Sequence, residues 1–272
     1  MSSRCLSVIA ALAVLASAGA ATAREIRVCA EPDNLPFSHR DGSGFENKLM
    51  RIIGRELGAR ITFVWQPQWR GFVRKTLLAE TCDIIPGIAA ASERLRTTHP
   101  YYVSSYVFVT RRDRPPVRSF KELLMTDGQI GVQLIGDDGT NTPPVEELAA
   151  RGLSKRLKGF MVWGRTTASA PPLEEIMHAV AAGDIDVAVV WGPPAGYFAT
   201  REDAPLTLSA IAAEEQTVVP MSFAIAMGVR KQDEGLAREL NAALTKNATE
   251  IRALLDGYGV PRADAHRPGE AR

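Results

Sequence analysis

Two glutamates near the start of the chain have the chemistry of a general acid. Burial raises the pKa of a carboxyl group, so Glu31 or Glu46 could donate a proton near neutral pH. Neither is paired with a second catalytic group, and the start of a helix already favours an acid at Glu46. The sequence also has no G-x-S-x-G, H-E-x-x-H or P-loop motif. These observations predict a protein that is not an enzyme.

The acidic run Asp137-Asp138-Gly139 raises the question of a metal site. Hard cations take six or more oxygen ligands, and two adjacent carboxylates with Asn141 supply too few. Adjacent side chains also tend to point apart, so we interpret this segment as a turn that leads into a helix. The four histidines have no metal-ligand spacing: His39, His99, His178 and His266. We therefore predict no metal and no cofactor.

The N-terminus has the three parts of a secretory signal peptide. Arg4 precedes an apolar run, Leu6 to Ala20, that is shorter than the roughly 20 residues of a membrane span. Ala21-Thr22-Ala23 then forms a cleavage site of small residues. We predict that residues 1–23 are removed and that the remaining chain is periplasmic. The alternative is an uncleaved N-terminal anchor.

Charge is balanced in the part of the chain predicted to be exported. The full sequence has 32 Lys and Arg residues and 31 Asp and Glu residues, and loss of Arg4 makes the two counts equal. No basic arm or stripe stands out. This pattern argues against nucleic acid or an anionic membrane as the main partner.

Two cysteines, Cys29 and Cys82, remain after signal cleavage. An even number of cysteines in an oxidising compartment favours a disulfide, and both lie in or beside predicted strands of one lobe. Two buried free thiols or a redox pair are the alternatives, although no C-x-x-C motif supports a redox pair.

Apolar strands alternate with amphipathic helices along the first part of the chain. Such alternation is typical of βαβ units and a mostly parallel sheet. We predict strands at Arg24–Ala30, Ile61–Trp65, Asp83–Gly87 and Tyr102–Thr110, and helices at Phe45–Leu57 and Phe72–Ala79.

The alternation restarts after the charged, proline-containing stretch 111–116. Ser119 and Glu122 have the spacing of a capping box at the start of a helix. Further strands are predicted at Ile130–Leu134, Phe160–Trp163, Ile185–Val190, Leu206–Ile211 and Ser222–Val229, and helices from Thr142, at Pro172–Ala182 and at Glu234–Leu255.

The second α/β unit is predicted to be inserted into the first. Lobe 1 then comprises residues 24–112 and 219–262, lobe 2 comprises residues 113–218, and residues 263–272 form a polar tail. Two segments would connect the lobes as a hinge, and the cleft between them would be the natural binding site. The alternative is one continuous doubly wound α/β domain.

Several short motifs resemble those of the family 3 extracellular solute-binding proteins. They occur in the family's order: Gly44-Phe45-Glu46, Glu56-Leu57-Gly58-Ala59, Ser92-Glu93-Arg94, Pro100-Tyr101-Tyr102, Gly131-Val132-Gln133 and Gly183 to Val190. The resemblance implies a two-lobed, type II periplasmic-binding-protein-like α/β fold.

Longer runs resemble the MxaJ/XoxJ-type accessory proteins of PQQ methanol dehydrogenase systems. These runs are Arg27 to Ser38, Arg70 to Arg74, Gly131 to Gly139, Asn141 to Pro144, Val189 to Pro193 and Tyr258 to Pro261. The resemblance implies a periplasmic activator or docking partner of a PQQ-dependent methanol dehydrogenase of the calcium or lanthanide type. The alternative is the solute-binding component of an ABC importer for a small organic ligand.

Amino-acid binders of the wider family hold the ligand carboxylate with an arginine and the ligand ammonium group with an acid. The resemblance places Arg94 at the arginine position, and a solvated arginine is the alternative. At the acidic position stands Trp191, whose ring can offer a cation only a cation–π contact. We therefore do not expect an ordinary α-amino-acid carrier.

Aromatic side chains take the place of that acid. If they line the cleft, they suit an apolar guest or an inserted protein segment; packing in the core is the alternative. The residues predicted for a ligand or partner in the cleft are Asn34, Phe37, Glu46, Trp69, Arg70, Arg94, Tyr101, Tyr102, Gln133, Asp137, Trp191 and Gly192.

Overall fold

The computed structural model describes residues 24–68, 71–134, 141–161, 172–212 and 215–262. The predicted signal peptide and the predicted polar tail lie outside these residues. Within the described ranges, no helix combines the length and the apolar character that a membrane crossing requires.

Strands and helices alternate along most of the described chain. The strands are β1 (Glu25–Ala30), β2 (Asp33–Asn34), β3 (Ser38–His39), β4 (Arg60–Trp65), β5 (Ile85–Ala89), β6 (Arg96–Thr97), β7 (Tyr102–Arg111), β8 (Ile130–Leu134), β9 (Leu157–Met161), β10 (Val187–Trp191), β11 (Leu206–Ala210) and β12 (Ser222–Val229). The helices are α1 (Phe45–Leu57), α2 (Phe72–Lys75), α3 (Phe120–Leu124), α4 (Pro143–Ala150), α5 (Pro172–Ala182), α6 (Gly192–Ala199), α7 (Glu234–Lys246) and α8 (Ala248–Gly257).

The first half of the molecule is built on the parallel pair β1 and β4, and Val28 of β1 forms a further parallel bridge with Ile84. Helix α1 buries the side chain of Leu49 in the core beside these strands. The C-terminal helices pack into the same core through Leu240 of α7 and Ile251 of α8. The two ends of the described chain therefore share one core, which is the arrangement that an inserted lobe 2 requires.

Strand β7 runs from one half of the molecule into the other. Its first residues, from Tyr102 to Ser105, pair antiparallel with β12, which also pairs with β5 and β6. From Tyr106 onward, β7 lies between β10 and β11 and is antiparallel to both. The partners of β7 therefore change between Ser105 and Tyr106. The predicted lobe boundaries themselves remain a prediction.

The second half of the molecule is a sheet with a core on each face. Strand β8 pairs parallel with both β9 and β10, and β10 then pairs antiparallel with β7. Helices α5 and α6 cover one core, which contains Val180 and Phe198, while α3 and α4 cover the other, which contains Phe120 and Leu148. This architecture confirms the predicted α/β fold class. The prediction of a mostly parallel sheet was wrong, because β7 runs antiparallel to β10, β11 and β12.

Two predicted helices differ from the structure. The helix predicted at Phe72–Ala79 ends at Lys75, because the Thr76 hydroxyl bonds back to the Phe72 carbonyl and the backbone at Thr76 leaves helical geometry (φ −117°, ψ −83°). The long helix predicted at Glu234–Leu255 is divided into α7 and α8 at Asn247, whose side-chain amide donates to the Ala243 carbonyl.

Three predicted strands are shifted along the chain, among them β10, which begins at Val187 rather than at Ile185. Strand β5 begins at Ile85, where it enters register with Gly228 of β12, whereas Ile84 forms only an isolated bridge with Val28 of β1. Strand β9 begins at Leu157, where it enters register with Ile130 of β8.

The predicted disulfide between Cys29 and Cys82 is confirmed. The two Cα atoms are 5.4 Å apart, and both residues are buried. The bridge joins β1 to the turn that precedes β5.

Candidate functional site

A cavity of about 310 Å³ lies where the two halves of the molecule meet. The first wall is formed by the segment from β1 to the first turn of α1 and by β5. The other walls are formed by residues of β7 and β12 and by the ends of β8 and β10. The volume is at the lower end of the range for small-molecule sites in proteins.

Glu46 stands in the first wall, in the first turn of α1. Its backbone N–H donates to the Phe37 carbonyl at 2.8 Å, which fixes the start of the helix against the preceding loop. Its carboxyl group has no hydrogen bond or ion pair with any described residue. Burial raises the pKa of Glu46 to about 8. The carboxyl group is therefore mostly protonated at neutral pH.

Gly87 of β5 makes room for this carboxyl group. A Cβ atom at Gly87 would lie 2.3 Å from Glu46 Oε1, so any other residue would displace it. Tyr101 lies behind the same wall, and its hydroxyl donates to the Pro86 carbonyl at 3.1 Å.

Glu31 also lines the cavity, but its carboxylate is already engaged. The backbone N–H of Gln68 donates to it. Burial raises the pKa of Glu31, and the hydrogen bonds from Gln68 and Asp33 oppose that effect. The two glutamates therefore differ: Glu31 is held by the loop, whereas the carboxyl group of Glu46 has no partner in the part of the chain that the structure describes.

Three aromatic rings form the opposite wall. Tyr106 lies opposite Trp191 in the β7–β10 register, and their ring centroids are 5.2 Å apart. Phe223 of β12 completes the group, 5.9 Å from Trp191 and 6.5 Å from Tyr106. The rings meet edge to face, the arrangement that the aromatic quadrupole favours.

Gln133 at the end of β8 supports this aromatic wall. Its side chain is almost fully buried, at 5% exposed, and Oε1 accepts from the Trp191 backbone N–H at 3.1 Å. Its Nε2 group has no hydrogen-bond acceptor among the described residues. The Gln133 carbonyl accepts from the Thr142 hydroxyl, which ties the strand to the start of α4.

The structure brings half of the predicted cleft residues to the cavity. Those that line it are Asn34, Phe37, Glu46, Tyr102, Gln133 and Trp191. Tyr101 lies behind the wall. Gly192 packs against the backbone of β7, where a Cβ atom would be 2.7 Å from the Ser105 carbonyl oxygen.

Arg94 lies away from the cavity. It is exposed on the surface and does not line the described part of the wall. Trp69, Arg70 and Asp137 lie outside the described residues, so their predicted roles remain predictions.

Sequence reasoning missed two aromatic members of the site, Tyr106 and Phe223. Both fall inside predicted strands, where alternation alone does not say which neighbour a side chain meets. The signal lies in pairing: Tyr106 is opposite Trp191, and Phe223 is opposite Ser104. That information is absent from local sequence.

The predicted absence of a metal site concerns the acidic, histidine and cysteine side chains. Within the described ranges, no group of three or more such residues could hold a metal ion. Asp137 and Asp138 lie outside those ranges, while Asn141 forms an antiparallel bridge with Leu134. His39 instead pairs with Asp41, at 2.8 Å from Nδ1.

Comparisons with known proteins give the family. The sequence model of the family of bacterial extracellular solute-binding proteins, family 3, matches residues 26–259. Protein MoxJ of Methylorubrum extorquens (strain AM1) is 30% identical over 90% of this chain and 84% of its own length.

Two solved structures have the same fold. The periplasmic binding protein XoxJ from Methylobacterium extorquens AM1 is 33% identical, with a TM-score of 0.70 over 87% of this chain and 98% of that chain. MxaJ from Methlophaga aminisulfidivorans MPT is 24% identical, with a TM-score of 0.76 over 87% and 99%. The chain therefore belongs to the bacterial extracellular solute-binding proteins of family 3, among the relatives of MoxJ and XoxJ.

Proposed function

We propose that this protein is a periplasmic accessory protein of a PQQ-dependent methanol dehydrogenase. In this proposal it docks the enzyme, or its immature form, through the cavity or the adjoining surface. The observation that carries the proposal is the aromatic wall of Trp191, Tyr106 and Phe223 in place of the charged clamp of an amino-acid carrier. The similarity to MoxJ and XoxJ supports it.

The position of Arg94 argues against transport of amino acids. An α-carboxylate needs a buried or cavity-facing cation, and Arg94 is exposed. An α-ammonium group needs an acid from the second lobe. Trp191 stands at the position where the amino-acid binders of the family have that acid. The apolar walls suit an inserted side chain, because aromatic pockets supply most of the energy at protein interfaces.

Affinity measurements with the PQQ methanol dehydrogenase of the same organism test the proposal. We expect a complex, and a dehydrogenase activity that changes when the accessory protein is added. Trp191→Ala should weaken the complex at least about 30-fold, the effect of a central interface tryptophan. Trp65→Ala is the matched control, because Trp65 stacks on Phe63 and does not line the cavity. Absence of both a complex and an effect on activity would refute the proposal.

The cavity between the two halves of the molecule favours a second candidate, the solute-binding component of an importer. A ligand of this component would stabilise the folded state by mass action. Thermal unfolding in the presence of alcohols, organic acids and amino acids tests it, and the expected result is a rise in the midpoint with one class. An unchanged midpoint across all three classes would count against an importer.

We also propose that the site binds rather than catalyses. No described residue donates to or pairs with the Glu46 carboxyl group, so nothing orients it as a general acid. A turnover that Glu46→Gln abolishes would contradict this proposal.

A further inference from the structure

Three hydrogen-bond donors on residues that line the cavity have no acceptor among the described residues. Gln133 Nε2 has no acceptor among the described residues, and neither do the Trp191 indole N–H and the Tyr106 hydroxyl. Burial raises the pKa of Tyr106 above its ordinary value, so this hydroxyl keeps its proton. A ligand that displaces water from the cavity loses affinity unless it supplies an acceptor to these donors.

Glu46 adds a donor on the other wall. A carboxylate would only accept hydrogen bonds, but burial raises the pKa of Glu46 to about 8 and the group carries a proton at neutral pH. The carboxyl group then presents an O–H to the cavity. The two walls therefore offer donors from opposite halves of the molecule.

Charged ligands fit this cavity poorly. The described lining residues include no Arg, Lys or His, so an anion would find no counter-charge among them. An anion would also meet the carboxylate of Glu31 and the apolar rings, and burial of an unpaired charge is costly. A cation could approach the Glu31 carboxylate, but that group already accepts a hydrogen bond from the Gln68 backbone, and pairing with Glu46 would require loss of its proton.

We propose that the cavity binds an uncharged, largely apolar group whose carbonyl oxygen accepts hydrogen bonds from Glu46 and Gln133. The apolar body would pack against Trp191 and Phe223. The inference rests on the proposed function, because both take the same cavity as the binding site. The carbonyl can come from a free solute or from the backbone of an apolar segment of the dehydrogenase.

Calorimetry with a series of probes of equal shape tests the ligand class. Acetophenone carries the carbonyl, ethylbenzene lacks it, and 1-phenylethylammonium and benzoate carry opposite charges. We expect acetophenone to bind at least about 10-fold more tightly than each of the others, because only acetophenone gives the donors an uncharged acceptor. N-acetylphenylalaninamide represents a backbone segment. Tighter binding of this amide than of acetophenone would support the proposal with a protein source, and the reverse order would support it with a free solute.

The pH dependence of binding tests the role of Glu46. Acetophenone should bind about 10-fold more weakly at pH 9 than at pH 7, since deprotonation of a group with a pKa of about 8 removes the donor. Glu46→Gln keeps a donor and should bind with an affinity independent of pH over this range. Glu31→Gln is the matched control and should keep the pH dependence, because the Glu31 carboxylate is already held by Gln68. Thermal unfolding of each variant checks that it is folded.

Three results would overturn the inference. They are preferred binding of the ammonium or benzoate probe, a pH dependence that persists in Glu46→Gln, and failure of both acetophenone and the capped amide to bind. None of these experiments contains the dehydrogenase. Probe binding without a dehydrogenase complex would therefore refute only the proposed function, and a complex without probe binding would refute only the carbonyl inference.

Discussion

Two carboxyl groups in the same half of the molecule have opposite surroundings. Asp83, next to the disulfide, accepts hydrogen bonds from Arg27 at 2.7 Å and from Arg230 at 3.3 Å. Burial alone would raise the pKa of Asp83, but these hydrogen bonds hold it below its ordinary value. Glu46, at the cavity, has no such partner among the described residues, and burial raises its pKa to about 8.

The comparison distinguishes a carboxylate that the fold pairs with arginines from a carboxyl group that has no partner among the described residues. At Asp83 the charge is compensated within the fold, and Arg230 also bonds the Cys82 carbonyl, so the site ties several segments together. At Glu46 the described residues supply no counter-charge. The carboxyl group therefore carries a proton or bonds to a ligand. A carboxyl group that the fold leaves unpaired is the stronger candidate for binding.

Removal of the disulfide should have the largest effect on the structural site. We expect the Cys29→Ser/Cys82→Ser double variant to lose about 2–5 kcal/mol of unfolding free energy, because the bridge restricts the unfolded chain across a separation of 53 residues. Urea unfolding under oxidising conditions measures the loss. Unchanged stability would mean that the network around Asp83 holds this region without the bridge.

Glu46→Gln should change the dependence of stability on pH. The folded state keeps the Glu46 proton up to a pH of about 8, whereas the unfolded chain loses it near its ordinary pKa of about 4.3. The stabilising contribution of Glu46 is therefore complete below that lower pKa and is lost as the pH rises towards 8. Between pH 6 and 8 the variant should gain up to about 1.4 kcal/mol per pH unit relative to the natural protein. A constant difference in urea unfolding across this range would contradict the unpaired state of Glu46.

Asp83→Asn should destabilise the protein by roughly 1–3 kcal/mol at pH 7, because it removes the carboxylate that Arg27 and Arg230 share and leaves Arg230 with Asp233 alone. The sign of its pH dependence is opposite to that of Glu46. A lowered carboxyl pKa stabilises the fold above the unfolded value and is lost as the pH falls through the folded value. The difference between Asp83→Asn and the natural protein should therefore shrink below a pH of about 4.

Arg94→Ala should have the smallest effect. The side chain is exposed and away from the cavity, so we expect a change in unfolding free energy within about 0.5 kcal/mol and unaltered binding of acetophenone. A marked loss of binding would place Arg94 at the site after all, in a conformation with the lobes closed.

Much of the architecture could be predicted from local pattern. The apolar period of α1, the strands β1 and β4 and the pairing of Cys29 with Cys82 agree with the structure. The interruption at Asn247 was missed because the apolar spacing continues through it. Local periodicity reports which face is buried, but it does not report a backbone that turns at one residue.

The residues of the cavity also divide into those that the sequence predicted and those that it did not. Phe37, Glu46 and Trp191 were predicted from motifs and line the cavity, whereas Tyr106 and Phe223 were missed. The last two residues reach the site because β7 exchanges partners at Ser105 and Tyr106, a long-range event. Arg94 was assigned by position in a motif, and the structure places it on the surface.

The sequence by itself determined the α/β alternation, the family and the residue types that could form an apolar site, because these depend on local spacing and short motifs. Only the tertiary structure decided which of two carboxyl groups has a partner within the described ranges. Asp83 and Glu46 are both acidic residues beside predicted elements, and nothing in their neighbours along the chain separates them. The difference comes from residues distant in sequence. Arg230 donates a hydrogen bond to Asp83, whereas Gly87 has no side chain and leaves room for the Glu46 carboxyl group.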